Sequence, residues 1–180
     1  MYTYCLFCET VKCDYVVAAA ARNLGCRAIS PKQIQHIWQA GKPVDLVHDL
    51  LPGYVFLYLE DGKLDIRAAN SIEGVIRCLR DGDRQYELVG SDEQFALMLL
   101  RKEGVIGKTQ VYQEGQMIRL KEGAFEGIQT KILKVDRQKH RMKIELPFAH
   151  QTVQTWVEFE VVASCEPEED PLDAKAEQAT

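Results

Sequence analysis

A chain of 180 residues, 46% of them hydrophobic, has room for one full-sized domain or for a domain and a small module, each with a buried core. A net charge of −5 and a pI near 5.4 exclude a uniformly basic nucleic-acid coat protein, so any affinity for polyanions must come from local patches. Cys5, Cys8, Cys13, Cys26, Cys78 and Cys165 are scattered through apolar contexts without a loop-rich framework, which suits reduced thiols in a cytosol. No basic leader precedes an apolar core and no apolar run is long enough to span a bilayer, so a soluble, cytoplasmic protein with no membrane contact is expected.

Tyr2 to Phe7 reads as a buried strand. Asp14 is placed to cap a helix with Val16, Val17, Ala20 and Leu24 on one face, Gly25 ends it, and Cys26 to Ile29 returns as a strand. Ser30 to Asp49 is open: Ile34, Ile37 and Trp38 have helical spacing, yet Ala40-Gly41-Lys42 suits a hairpin turn. Leu51 to Leu59 is hydrophobic almost without interruption, the mark of a central strand, with Pro52 at its mouth. A short helix over Lys63–Asn70 and a strand over Gly74–Leu79 follow. Ser91 and Gln94 suggest a capping box for a helix through Lys102 that buries Phe95, Met98 and Leu99, and Gly104 stops it.

Gly104 to Gly115 loses apolar density and reads as a hinge, after which only strands are expected. Met142, Ile144 and Leu146 alternate inward against Arg141, Lys143 and Glu145 outward, Asp136 to His140 is the turn feeding that strand, and Val153 to Val161 closes a small barrel. The run from Cys165 onward lacks the apolar residues needed to order itself. The fold class is therefore α+β, divided into an N-terminal domain over 1–105, a linker over 106–114, a β-barrel over 115–163 and a disordered acidic tail over 164–180.

Gly123-Ala124-Phe125-Glu126-Gly127 brackets an aromatic with two glycines, as in a loop that presents a side chain. Around it, Arg119, Lys121, Lys131, Lys134, Arg137, Lys139, His140, Arg141 and Lys143 form a basic cluster suited to neutralising phosphates, with Phe125 and His140 available to stack on bases. Glu122, Glu126, Asp136 and Glu145 intersperse these cations, so a solvated barrel face weighs evenly against nucleic-acid contact on charge alone. Cys5-x-x-Cys8 invites a zinc or thiol-enzyme reading, but Cys5 lies in an apolar strand and no second pair follows. With no nucleophile elbow, phosphate loop or telling carboxylate pair, the chain reads as a non-enzyme without metal or cofactor.

Pro52-Gly53-Tyr54-Val55-Phe56 together with the Gly123–Gly127 loop resembles the NusG family of transcription elongation factors, in order and spacing from Tyr2 to Val162. The resemblance implies an antiparallel NGN domain followed by an SH3-like KOW barrel, and a hairpin for residues 30–49. Ala124, Thr130 and Leu146-Pro147-Phe148-Ala149-His150 depart from the general factor; the loop from Gly123 to Gln129 is similar to that of the specialised RfaH type, while the size and the β-pattern with basic residues resemble the LoaP type, which is the preferred placement. Such a paralogue would be an operon-specific antitermination factor. Leu51, Tyr54 and Phe56 would bind the β′ clamp helices of RNA polymerase, although the plain alternative for Leu51 and Tyr54 is a place in the core. Asp65, Ile66 and Arg67 fall where the RfaH branch touches the β gate loop, but their types differ and favour a short helix with a solvated face.

The basic residues from Arg119 to Lys143 would bind a nascent RNA hairpin, and contact with non-template DNA is a further role the resemblance allows to a monomer. A housekeeping NusG-type factor, whose KOW domain binds Rho or ribosomal protein S10, is the alternative. In the RfaH branch the KOW region can fold as a helical hairpin over the polymerase site. The alternation from Arg141 to Leu146 and the β-branched Val153, Thr155 and Val157 favour permanent strands here.

Overall fold

The computed structural model describes residues 1–80, 85–114, 117–121, 125 and 130–162. Its first half is a four-stranded sheet of order β2-β5-β1-β6, made of β1 (Tyr2–Cys8), β2 (Arg27–Ile29), β5 (Tyr54–Leu59) and β6 (Val75–Cys78). β1 and β5 pair antiparallel at the centre. Both are apolar on both faces because both faces are covered. Tyr4, Leu6, Cys8, Val55 and Leu57 meet α1 (Cys13–Leu24) and α2 (Ile66–Asn70), while Cys5, Tyr54, Phe56 and Tyr58 face α3 (Gly90–Arg101).

β5 begins at Tyr54, later than its apolar run suggests, because Leu50 to Gly53 turns the chain into it. Gly53 has φ +86° and an added Cβ would stand 3.0 Å from the Cys8 carbonyl oxygen, which is the backbone reason for glycine in Pro52-Gly53-Tyr54. α1 starts one residue before Asp14, behind a 3-10 turn over Thr10–Lys12, so Asp14 sits in the first turn rather than capping it. There it complements the helix dipole and pairs with Lys32 at 3.0 Å. α3 likewise starts at Gly90 with Val89 as its N-cap, and Ser91 and Gln94 form no capping box. Gly104, φ +78°, ends the last turn by donating its N–H to the Leu99 carbonyl at 2.8 Å.

Residues 32–49 form the hairpin that the resemblance implied, β3 (Lys32–Gln39) with β4 (Lys42–Asp49). Ala40 and Gly41 turn at φ +51° and +75°, the left-handed pair that a two-residue hairpin requires. Register places Ile34 opposite Val47 and Trp38 opposite Pro43, with Trp38 78% exposed near the tip. β7 (Val105–Ile106) adds to β3 in parallel.

The second half is a five-stranded sheet of order β10-β11-β12-β8-β9, formed by β8 (Thr109–Glu114), β9 (Met117–Leu120), β10 (Lys131–Asp136), β11 (Arg141–Phe148) and β12 (Gln151–Val161). Residues 106–114, expected as a linker, are instead largely β8, which pairs in parallel with β12 and buries Thr109 and Val111. Met142, Ile144 and Leu146 point inward as their alternation predicts. Phe125 is buried in the same core rather than presented to solvent. Gly123, Ala124, Glu126, Gly127 and the tail expected over 164–180 lie outside the described residues. Among the described residues no helix is long and apolar enough to cross a membrane.

Candidate functional site

Leu51, Tyr54 and Phe56 line one end of an aromatic face on the first half, completed by Phe7, Leu50 and Phe95. Tyr54, Phe56 and Tyr58 share a side of β5 because they alternate along the strand, and α3 sets Phe95 against Phe56 at a ring separation of 5.9 Å. The Tyr58 hydroxyl donates to the Ala96 carbonyl at 2.7 Å and fixes strand to helix. Phe7 meets Tyr54 edge-on at 5.4 Å.

This face is covered by the second half. Phe148 continues the inward parity of β11 by one more step and enters between Tyr54, Phe56 and Phe95, with ring separations of 6.1, 5.3 and 5.9 Å. Such tilted and edge-on pairs each add about 0.5–1.5 kcal/mol beyond area burial. Polar contacts surround the plug: the Ala149 N–H donates to the Asp92 carboxylate at 2.8 Å and the Thr155 hydroxyl to the Leu50 carbonyl at 2.8 Å. The His36 N–H reaches Glu158 at 3.2 Å. Leu51, Tyr54 and Phe56 are consequently buried, and burial pushes the Tyr54 phenol pKa up. Phe148, Asp92, Thr155 and Glu158 were not legible as site residues, although the period-two pattern of β11, carried past Pro147, points at Phe148.

The basic residues divide. Lys134 stands directly opposite Lys143 across β10 and β11, and Lys143 directly opposite Trp156 across β11 and β12. Like charges so placed cost stability, which an anion on that face would offset. The Arg141 guanidinium lies 4.5 Å from the Trp156 ring centroid and its Nε donates to Asp136 at 3.2 Å. Partial desolvation works to raise the Asp136 pKa, but the Lys139 N–H and Arg141 outweigh it and hold the carboxyl below the usual range. Lys131 faces Glu145 on the same strands. Arg137 and Lys139 are exposed in the turn after β10, and the exposed His140 ring lies 6.2 Å from Phe159. Arg119 and Lys121 belong to the other end of the sheet order, on and just past β9, where Lys121 donates to Gln110 at 2.9 Å.

Asp65 accepts hydrogen bonds from the Arg67 and Ala68 N–H groups at 3.0 and 3.1 Å, so the Asp65-Ile66-Arg67 segment is the capped start of α2. Cys5 and Cys8, three apart on a strand, point into cores on opposite faces of the sheet and cannot share one tetrahedral ion. Burial raises both thiol pKa values, that of Cys8 to about 12, and does the same for Cys78. A thiol whose folded pKa exceeds its unfolded one stays protonated while the unfolded chain ionises. Stability should thus show no thiol dependence between neutral pH and about pH 8.5 and fall as pH climbs from there toward 12. Urea midpoints across that range, with native alkylation by iodoacetamide as a second measure, check this: flat midpoints or rapid labelling of Cys8 and Cys78 would contradict it.

No family model and no curated protein matches the sequence. Among solved structures, the chain is similar to NusG of Thermotoga maritima, from a structure concerned with domain interaction in that protein. The two share 15% identity, the match covers 87% of this chain and 93% of the other, and the TM-score is 0.52. The fold is NusG-like.

Proposed function

We propose that the chain is a transcription elongation factor of the specialised, LoaP- or RfaH-like type: residues 1–105 act as an NGN domain that docks on the β′ clamp helices of RNA polymerase, and the C-terminal sheet acts as a KOW domain that binds a nascent RNA hairpin. The observation that carries it is the aromatic face of Tyr54, Phe56 and Phe95 on a NusG-like fold, with a polar rim suited to a helical partner. Since Phe148 fills that face, docking requires the C-terminal sheet to move off it. The fold then leaves as a sheet and not as a helical hairpin, because Arg141 to Phe148 is strand while the face is covered.

The RNA half rests on the row of Lys134, Lys143 and Trp156 with Arg141 beside it, where two cations and a ring plane suit phosphate and base together. The test is read-through of a terminator by reconstituted polymerase, with and without the leader RNA that precedes it, alongside hairpin binding in a salt series. Increased read-through is expected. Lys134→Gln with Lys143→Gln should weaken hairpin binding and flatten its dependence on log salt by about two contacts' worth. Read-through unchanged by the protein would sink the polymerase half, and hairpin binding indifferent to these lysines the RNA half.

A further inference from the structure

A cleft of about 430 Å³ opens where the two halves meet, between the edge strand β6 and the turn that carries Phe148. Asn70, Arg77, Cys78, Arg80 and Tyr86 line it from the first half and Gln151 from the second, with no carboxylate among the described lining residues. Arg77 stands opposite Phe7 in the β1–β6 register, and Phe7 stands opposite Tyr54 in the β1–β5 register, so Arg77 rims the aromatic face. The Arg80 guanidinium lies 5.1 Å from the Tyr86 ring centroid while its Nε donates to the Tyr86 hydroxyl at 3.0 Å, which holds its remaining N–H groups in a fixed plane. The Asn70 carboxamide oxygen is taken by the Cys78 N–H at 2.7 Å, so its NH₂ is the donor it offers. The Cys78 thiol, held protonated by burial, adds no negative charge to the cleft.

Two guanidiniums and two carboxamides in the lining favour a ligand rich in acceptors and negative charge, and the size of the cleft admits a nucleotide. Gln151 gives such a ligand a mechanical consequence, because it is the direct cross-strand partner of Phe148. The connecting residues Ala149 and His150 both hold positive φ, +49° and +58°, so the turn depends on its contacts to keep its shape.

We propose that this cleft binds the phosphate of a nucleotide, free or at the end of a nucleic-acid strand, and that the bound phosphate clamps the second half over the aromatic face. The inference does not rest on polymerase docking, since binding and closure are read on the protein alone.

The test is calorimetric titration of the full chain with inorganic pyrophosphate, adenosine triphosphate and a hexauridylate, combined with hydrogen exchange of the turn containing Ala149. Saturable binding is expected, weakened tenfold or more by Arg77→Gln or Arg80→Gln in variants whose melting temperature matches the parent. Exchange at the turn should slow on saturation. Pyrophosphate binding should be indifferent to Lys134→Gln with Lys143→Gln, which separates the cleft from the basic row. Preference for the mononucleotide or for the hexamer identifies the source of the phosphate. No saturable binding of any probe up to about 10 mM, binding unaffected by both arginine changes, or exchange unchanged at saturation would each overturn the proposal.

Discussion

Replacing Phe148 with alanine is expected to tighten association with elongating polymerase tenfold or more while leaving both halves folded. The ring is almost wholly buried and touches three aromatic rings of the first half, so truncation removes the centre of the contact between halves. A buried Phe→Ala change costs about 3–5 kcal/mol. Here much of that cost falls on docking of one half against the other, since Met142, Ile144 and Leu146 still fill the sheet's own core. About 1.4 kcal/mol of differential stability suffices for a tenfold change in apparent affinity. Anisotropy titration against an assembled elongation complex measures it, with Asp92→Ala, which removes the partner of the Ala149 N–H, as a milder second variant. Unchanged affinity in both variants would mean that the aromatic face is not the docking surface.

Gly104→Ala is expected to cost about 2–5 kcal/mol of global stability, the sum of a left-handed residue that has gained a Cβ and an overpacked contact. At φ +78° the new Cβ would stand 2.4 Å from Cγ2 of Ile29, a β-branched side chain buried on β2. The backbone cannot yield easily, because the Gly104 N–H is bonded to Leu99 and its carbonyl accepts from Lys32 N–H at 2.8 Å. Urea denaturation reads the loss directly. A midpoint within error of the parent would show that β2 or the hairpin shifts to make room.

What the sequence revealed follows from how locally each feature is determined. β11 was readable because one face is buried and the other wet, so polarity alternates along it. The β3–β4 hairpin was not, since both its faces are partly exposed and no burial difference stamps a period on Ile34, Ile37 and Trp38. Only the resemblance supplied it. β8 was taken for a linker because the residues it pairs with on β12 lie fifty positions away and just two of its described side chains are buried. The candidate site was half legible. Leu51, Tyr54 and Phe56 were singled out only through the resemblance, and the ring that covers them lies past Pro147, which interrupts the apolar alternation yet pairs with Thr152 inside the ladder. The basic residues were all visible in sequence, whereas the grouping of Lys134, Lys143 and Trp156 apart from Arg119 and Lys121 depends on strand order.

The parallel pairing of β8 with β12 bears on the order in which the chain acquires its shape during synthesis. The first half has all its strands once Ile106 is made, but the sheet that carries Phe148 cannot complete itself before Val161 finds Val111. At about 5–20 residues per second, the 55 residues between Ile106 and Val161 take roughly 3–11 s to add. For those seconds the aromatic face is bare on the ribosome-bound chain. A newborn molecule thus passes through an uncovered state that the finished one must reopen to regain.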